Sequence, residues 1–99
     1  MGVESFYEVS SGENSKDAFQ KAVENALYDD DYSEYTASIA KKNNFTMATK
    51  EILSSSEAWE MANSLINTDY SDEWGPAGCI QLQTKSKYNS YLFFGWVST

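Results

Sequence analysis

The last quarter of the sequence most constrains the fold, because two apolar runs of strand length flank a short polar segment. The first run lies within residues 74–82 and the second spans residues 91–97, with polar residues 85–90 between them. This pattern predicts a β-hairpin with a longer loop. Pro76 and Gly78 at its entrance are typical of a turn. The second run is the most hydrophobic and aromatic part of the chain, so we expect it to be a central strand.

Earlier elements follow from periodicity and capping residues. Residues 3–9 alternate as a strand does, and apolar residues between Ala18 and Leu27 recur at helical spacing. The helix is expected to begin after an N-cap at Asn14, with Asp17 in the position of a capping-box acid, and to end near Tyr28. Alternating residues at 35–40 and 45–49 predict a second hairpin around a turn at 41–44.

A second helix is predicted after Ser54, because Glu57 completes a capping box and apolar residues from Ala58 to Ile66 form one stripe. The order is then β-α-β-β-α-β-β in a single domain spanning residues 1–99. Successive hairpins and two helices indicate an α+β two-layer sandwich. We expect an antiparallel sheet of about five strands with both helices on one face.

The charge balance excludes several classes of function. The chain has 15 acidic residues against seven lysines, a net charge of -8, and neither arginine nor histidine. Nucleic-acid binding requires a basic surface, so we expect no direct contact with DNA or RNA. Catalysis that depends on an imidazole is impossible, and no glycine-rich phosphate loop is present. We expect no enzymatic activity, no cofactor and no metal site.

Neither membrane insertion nor a disulfide is expected. Cys79 is the single cysteine and lies in an apolar strand, where it is predicted to be a small buried hydrophobe. No apolar run approaches the length of a membrane span, and residues 1–5 lack the features of a signal peptide. We therefore expect a soluble, cytoplasmic protein.

Acidic residues are concentrated in the two segments that follow the helices. Carboxylates near a helix C-terminus oppose the helix dipole, so local stability does not explain them. One interpretation is solubility, since a net charge keeps a small protein dispersed. The other is that these segments dock on a host protein with a basic surface, aromatic side chains serving as anchors. The candidate partner-binding residues are Asp29, Asp30, Asp31, Tyr32, Glu34, Asp69, Tyr70, Asp72, Glu73 and Trp74.

A different class of function remains open, a sponge that binds a small nucleotide signal. Its bases would stack on tryptophans and its phosphates would meet lysines. The tryptophans are Trp59, Trp74 and Trp96, and the lysines in the predicted turns are Lys41, Lys42, Lys85 and Lys87. These turns are expected at the end of the sheet opposite the acidic segments.

The C-terminal strand also raises the possibility of a homodimer. If residues 91–97 lay at a sheet edge, their unpaired backbone would favour pairing with a second copy.

Three stretches together resemble a family of small uncharacterised proteins from phages and mobile elements of bacteria. They are Tyr35-Thr36-Ala37-Ser38-Ile39-Ala40-Lys41, Asp72-Glu73-Trp74-Gly75-Pro76-Ala77-Gly78-Cys79-Ile80 and Phe93-Phe94-Gly95-Trp96. The distinctive part is a D-x-W-G-P-A-G motif. The resemblance implies a short, acidic, phage-encoded accessory protein in a bacterial cytoplasm, where inhibition or sequestration of a defence or nucleic-acid-directed protein is a common role.

Overall fold

The structure, a computed structural model, describes residues 2–29, 39, 42–85 and 87–98, with the backbone alone for 27–29 and 98. The predicted α+β class is confirmed, and the strand predicted at 35–40 lies outside the described residues except for Ile39. The described elements are β1 (Val3–Gly12), α1 (Ser15–Asp29), β2 (Phe45–Leu53), α2 (Ser55–Leu65), β3 (Ala77–Leu82) and β4 (Asn89–Ser98). Neither of these two helices is long and apolar enough to cross a membrane.

Both helices begin at the N-caps that the sequence predicts. At α2 the Ser54 hydroxyl accepts a hydrogen bond from the Glu57 N–H, and the Glu57 carboxylate accepts one from the Ser54 N–H. At α1 the Asn14 side chain accepts from the Asp17 N–H at 2.8 Å. The Asp17 carboxylate reaches one residue further back and accepts from the Glu13 N–H at 3.0 Å. This bond, assisted by Lys21, holds the pKa of Asp17 below its ordinary value.

The four described strands form one sheet in the order β1-β4-β3-β2. The predicted C-terminal hairpin is confirmed, with Cys79 opposite Phe93 in the antiparallel pair of β3 and β4. The predicted central position of residues 91–97 is confirmed too, because β4 also pairs antiparallel with all of β1. Over residues 90–94, β4 therefore has a described strand on each side and is not a sheet edge. A homodimer stays a prediction.

The prediction of a wholly antiparallel sheet is wrong, because β2 and β3 run parallel, with Phe45 beside Ala77. The physical reason is the connection between them. α2 returns the chain to the end of the sheet where β2 began, so the next strand runs in the same direction as β2. The described sheet is therefore mixed.

The prediction that both helices cover one face is also wrong. The neighbours Cys79 and Ile80 belong to separate buried clusters, as do the neighbours Phe93 and Phe94. Because successive side chains of a strand point to opposite faces, the two clusters lie on opposite sides of the sheet. α1 contributes to the cluster with Cys79 and Phe93, and α2 to the other. The described elements form three layers, helix, sheet and helix.

Candidate functional site

The loop between α2 and β3 presents a tryptophan to solvent. The Trp74 side chain is 79% exposed. The other two tryptophans are half-buried and engaged in packing: the Trp59 ring lies 4.9 Å from that of Tyr7, and the Trp96 indole N–H donates to the Ile66 carbonyl at 2.7 Å. Trp74 is thus the one large aromatic side chain on this loop that is available for contact with another molecule.

The backbone on both sides of Trp74 is held by its neighbours. The Trp74 N–H donates to the Asp72 carboxylate at 2.9 Å, and the Gly75 N–H donates to the Asp72 carbonyl at 3.1 Å. Pro76 follows and fixes its own φ angle. An aspartate that binds the backbone two residues on is typical of a tight turn. The exposed indole therefore projects from an ordered loop.

The Lys42 side chain is hydrogen-bonded to the same loop. Its ammonium donates to the carbonyl oxygens of Glu73 at 3.1 Å and Gly75 at 2.8 Å, and the residue is only 6% exposed. Burial lowers the pKa of Lys42, and the carboxylates of Asp72 and Glu73 oppose that shift. A buried lysine whose hydrogen bonds go to backbone carbonyls has a structural function.

The position of Lys42 corrects the predicted separation of charge. The sequence places this lysine in a turn at the end of the sheet opposite the acidic segments, whereas it lies beside Asp72 and Glu73. Lys16 lines a surface depression with Asn43 and Asn44, next to Lys42 in the chain. Lys85 and Lys87 are exposed in the turn between β3 and β4, as predicted, and Lys41 lies outside the described residues.

The two hydrogen bonds from Lys42 to the Glu73 and Gly75 carbonyls form what we call the Lys42 clamp. Replacement of Lys42 by Met tests this clamp. The methionine fills a similar volume but leaves the Glu73 and Gly75 carbonyls without a donor, so we expect a loss of about 1–3 kcal/mol in the free energy of unfolding. Urea unfolding of wild type and Lys42→Met measures it. A variant as stable as wild type at pH 7 would contradict the clamp.

The same pair of proteins has a predictable pH dependence. Because the folded-state pKa of Lys42 is below the ordinary value of 10.5, the unfolded chain binds more protons between these two values. The contribution of Lys42 to stability therefore grows as pH rises through that interval and is complete above 10.5. We expect the stability difference between wild type and Lys42→Met to widen with pH there. A difference that narrows would contradict the assignment.

The structure describes five of the ten predicted partner-binding residues with their side chains. Asp69 and Asp72 are exposed, and Glu73 is half-buried. Tyr70 is committed to the fold, because its ring packs 5.1 Å from Phe94 and its hydroxyl lies 2.8 Å from that of Thr46. Asp29 ends α1, described by its backbone alone, and four predicted residues lie outside the described part: Asp30, Asp31, Tyr32 and Glu34.

Among the described residues, only Trp74 and Lys42 of the groups proposed for nucleotide binding line one depression. Trp59 and Trp96 pack within the fold, and the Lys42 ammonium is bound to carbonyls. A cleft of about 390 Å³ does lie near the β3–β4 turn and includes Lys21 and Tyr88. Two carboxylates, Glu13 and Asp17, share its wall and would repel a phosphate. This hypothesis remains a prediction with no specific observation in its favour.

Cys79 is fully buried between α1 and the sheet, and burial raises the pKa of its thiol to about 12. Because the thiolate is the reactive form, we expect no reaction with a thiol reagent in the native state. The measurement is labelling by dithionitrobenzoate at pH 8 with and without urea, and labelling should appear only on unfolding. Rapid labelling of the native protein would show that this face of the sheet opens.

Among the described side chains, no group of three acidic or cysteine residues lies close enough to hold a metal ion. No protein-family model, curated protein or solved structure matches this chain. The exposed Trp74 on its hydrogen-bonded loop is therefore the main structural basis for a proposed function.

Proposed function

We propose that this chain is a small acidic binding protein without enzymatic activity, which docks on a basic surface of a host protein. The observation that carries the proposal is the 79% exposure of Trp74 on a loop held by Asp72 and Lys42. An ordered tryptophan in solvent contributes little to the fold of its own chain. In protein interfaces tryptophan is among the residues that contribute most to affinity.

Order in the loop strengthens the proposal. Association is weakened by the entropy lost when side chains and loops become ordered at the interface. The hydrogen bonds from Trp74, Gly75 and Lys42 already restrict this backbone in the unbound protein. A partner would therefore gain the contact area of the indole with little further ordering of the loop.

The negative charge of the Trp74 loop would orient a basic partner as it approaches. Asp69 and Asp72 are exposed in the loop that carries Trp74, Glu73 precedes it directly, and the whole chain has a net charge of -8. Negative potential steers a basic partner toward the surface and disfavours acidic ones. We include in this surface the other acidic segment predicted from sequence, which comprises Asp29, Asp30, Asp31, Tyr32 and Glu34.

The resemblance to small phage proteins supplies the setting of the proposal. A phage-encoded protein of this kind would inhibit or sequester a bacterial protein concerned with defence or with nucleic acids. Such targets carry basic surfaces, because their own ligand is an anion. An acidic loop with an exposed aromatic residue would occupy that surface in place of the nucleic acid.

The test is capture of a partner from bacterial lysate by the immobilised protein, followed by mass spectrometry. We expect a basic protein that is released as salt is raised from about 0.05 to 0.5 M, because exposed charges are screened over shorter distances. The loop-neutral variant carries Asp69→Asn, Asp72→Asn and Glu73→Gln. Asparagine at 72 retains an acceptor for the Trp74 N–H, so the turn is kept.

The matched control removes three exposed acids elsewhere, by Glu4→Gln, Glu51→Gln and Glu60→Gln. We expect the loop-neutral variant to lose at least 90% of the captured partner and the control to keep most of it, with equal net charge in the two variants. Equal loss of the captured partner in the two variants would show that only the net charge of the protein matters. Retention of the partner by the loop-neutral variant would contradict the proposed surface.

A further inference from the structure

Two shallow depressions lie side by side next to Trp74 and share a wall. The first, the apolar pit, has a volume of about 260 Å³ and is lined by Phe19 and Phe45, with Lys16 at its side. The second, the tryptophan pit, has a volume of about 140 Å³ and is lined by Trp74, Glu73 and Gly75, with Lys42. Asn43 and Asn44 line both, so these two exposed residues form a ridge between the pits.

The aromatic rings that line the apolar pit are packed against the core. The rings of Phe19 and Phe45 lie 5.0 Å apart, and each lies 5.5 Å from the ring of the fully buried Phe93. Both lining rings are half-buried, so one side of each still faces solvent. Covering them with an aliphatic side chain would remove apolar surface from water without rearranging the core. The pit therefore suits one large apolar side chain.

The tryptophan pit suits a cation. The Glu73 side chain is half-buried, Asp72 is adjacent, and the indole of Trp74 offers an electron-rich face. Lys42 is the one positive charge in its lining, and the ammonium is bound to the carbonyls of Glu73 and Gly75. Among the described residues, Glu73 is the carboxylate in the lining, while Asp72 lies outside it and Lys16 lines the adjoining apolar pit. The attraction for Lys or Arg from a partner therefore comes from Glu73, from the indole face of Trp74 and from the net charge of -8 of the chain.

The wall that the two pits share points to the form of the ligand. In an extended segment, side chains two residues apart lie on one side at a separation of about 7 Å. Such a segment crossing the ridge can place one side chain in each pit, while the exposed carboxamides of Asn43 and Asn44 can bond its backbone.

We infer that the partner presents an extended segment with a large apolar residue and a Lys or Arg two positions apart, which straddles the Asn43–Asn44 ridge. This inference rests on the proposed function and specifies the recognised chemistry. Complementarity of charge decides between occupants: an acidic segment would meet Glu73 and a chain of net charge -8, whereas a basic one is attracted.

The test uses two capped seven-residue peptides, Thr-Thr-Leu-Thr-Arg-Thr-Thr and the same peptide with Leu and Arg exchanged. Each is titrated into ¹⁵N-labelled protein and followed by amide chemical shifts. We expect shifts at residues 16–19, 43–45 and 73–75 with at least one peptide. Affinity should fall at least tenfold when its Arg is replaced by Glu or its Leu by Ser. Absence of shifts, shifts elsewhere, or equal binding of the Glu peptide would overturn the inference.

Two protein variants separate this inference from the proposed function. Asn43→Lys adds bulk and positive charge to the ridge, and Asn25→Lys makes the same change at an exposed position on α1. We expect at least tenfold weaker peptide binding, and loss of partner capture, for Asn43→Lys alone. If Trp74→Ala abolishes capture while Asn43→Lys preserves it, binding across the Asn43–Asn44 ridge is refuted and the proposed function stands. If Trp74→Ala preserves capture, the proposed function itself fails.

Discussion

Replacing Trp74 with Ala is expected to remove partner binding while leaving the protein as stable as before. Truncation of a tryptophan at the centre of an interface typically weakens binding by about 2–4 kcal/mol, which is roughly 30- to 1,000-fold in Kd. The side chain is 79% exposed, so the free energy of unfolding should change by no more than about 0.5 kcal/mol. Titration calorimetry with the captured partner and thermal unfolding together measure both quantities.

The control for Trp74→Ala is Ile52→Ala. Ile52 lies on β2, away from the Trp74 loop, and its apolar side chain is 51% exposed. We expect this variant to bind the partner within twofold of wild type. A Trp74→Ala protein that binds as tightly as wild type would show that the exposed indole is not part of the interface. Equal weakening in both variants would point to non-specific apolar contact.

Replacing Gly78 with Ala is expected to destabilise the fold severely. A Cβ atom at this position would overlap Cζ of Phe94 and would lie 2.7 Å from both of its Cε atoms. Phe94 is fully buried and packs against Tyr70, so its ring has no space into which to move. Overpacking of this kind costs about 3 kcal/mol, which corresponds to a fall in Tm of roughly 12–24 °C for a domain of this size.

Two further variants make the Gly78 prediction specific. Gly75→Ala adds the same methyl group in the same motif, where its nearest neighbour is Cβ of Asp72 at 3.4 Å, an ordinary contact. Its Tm should stay within about 3 °C of wild type. Adding Phe94→Leu to Gly78→Ala should recover part of the lost Tm, since the smaller side chain leaves room. Unchanged stability in Gly78→Ala would mean that β3 and β4 pack less closely than described.

Elements that depend on neighbouring residues were predictable from the sequence. The capping box of Ser54 and Glu57 and the N-cap at Asn14 act over three residues, so the starts of both helices are found where their chemistry indicates. The C-terminal hairpin is equally local. Trp74 was named as a partner-binding anchor because it adjoins the acidic segment, and the structure shows that its side chain is exposed.

The layer arrangement was misjudged although the sequence contains a signal for it. Residues 77–82 and 91–95 are apolar with little alternation, and nearly all of them are buried. A strand with one face in solvent alternates apolar and polar residues, whereas an unbroken apolar run indicates cover on both faces. That criterion, applied to β3 and β4, predicts one helix on each side of the sheet.

The sequence by itself determined the helices, their caps, the C-terminal hairpin and the acidic character of the surface, because these depend on residues a few positions apart. Only the tertiary structure decided that β2 lies parallel to β3, that Lys42 supports the Trp74 loop, and that Asn43 and Asn44 separate two pits. Lys42 and Gly75 are separated by 33 positions, and nothing near either residue indicates the other. Such contacts follow from burial of the whole core, to which every element contributes at once.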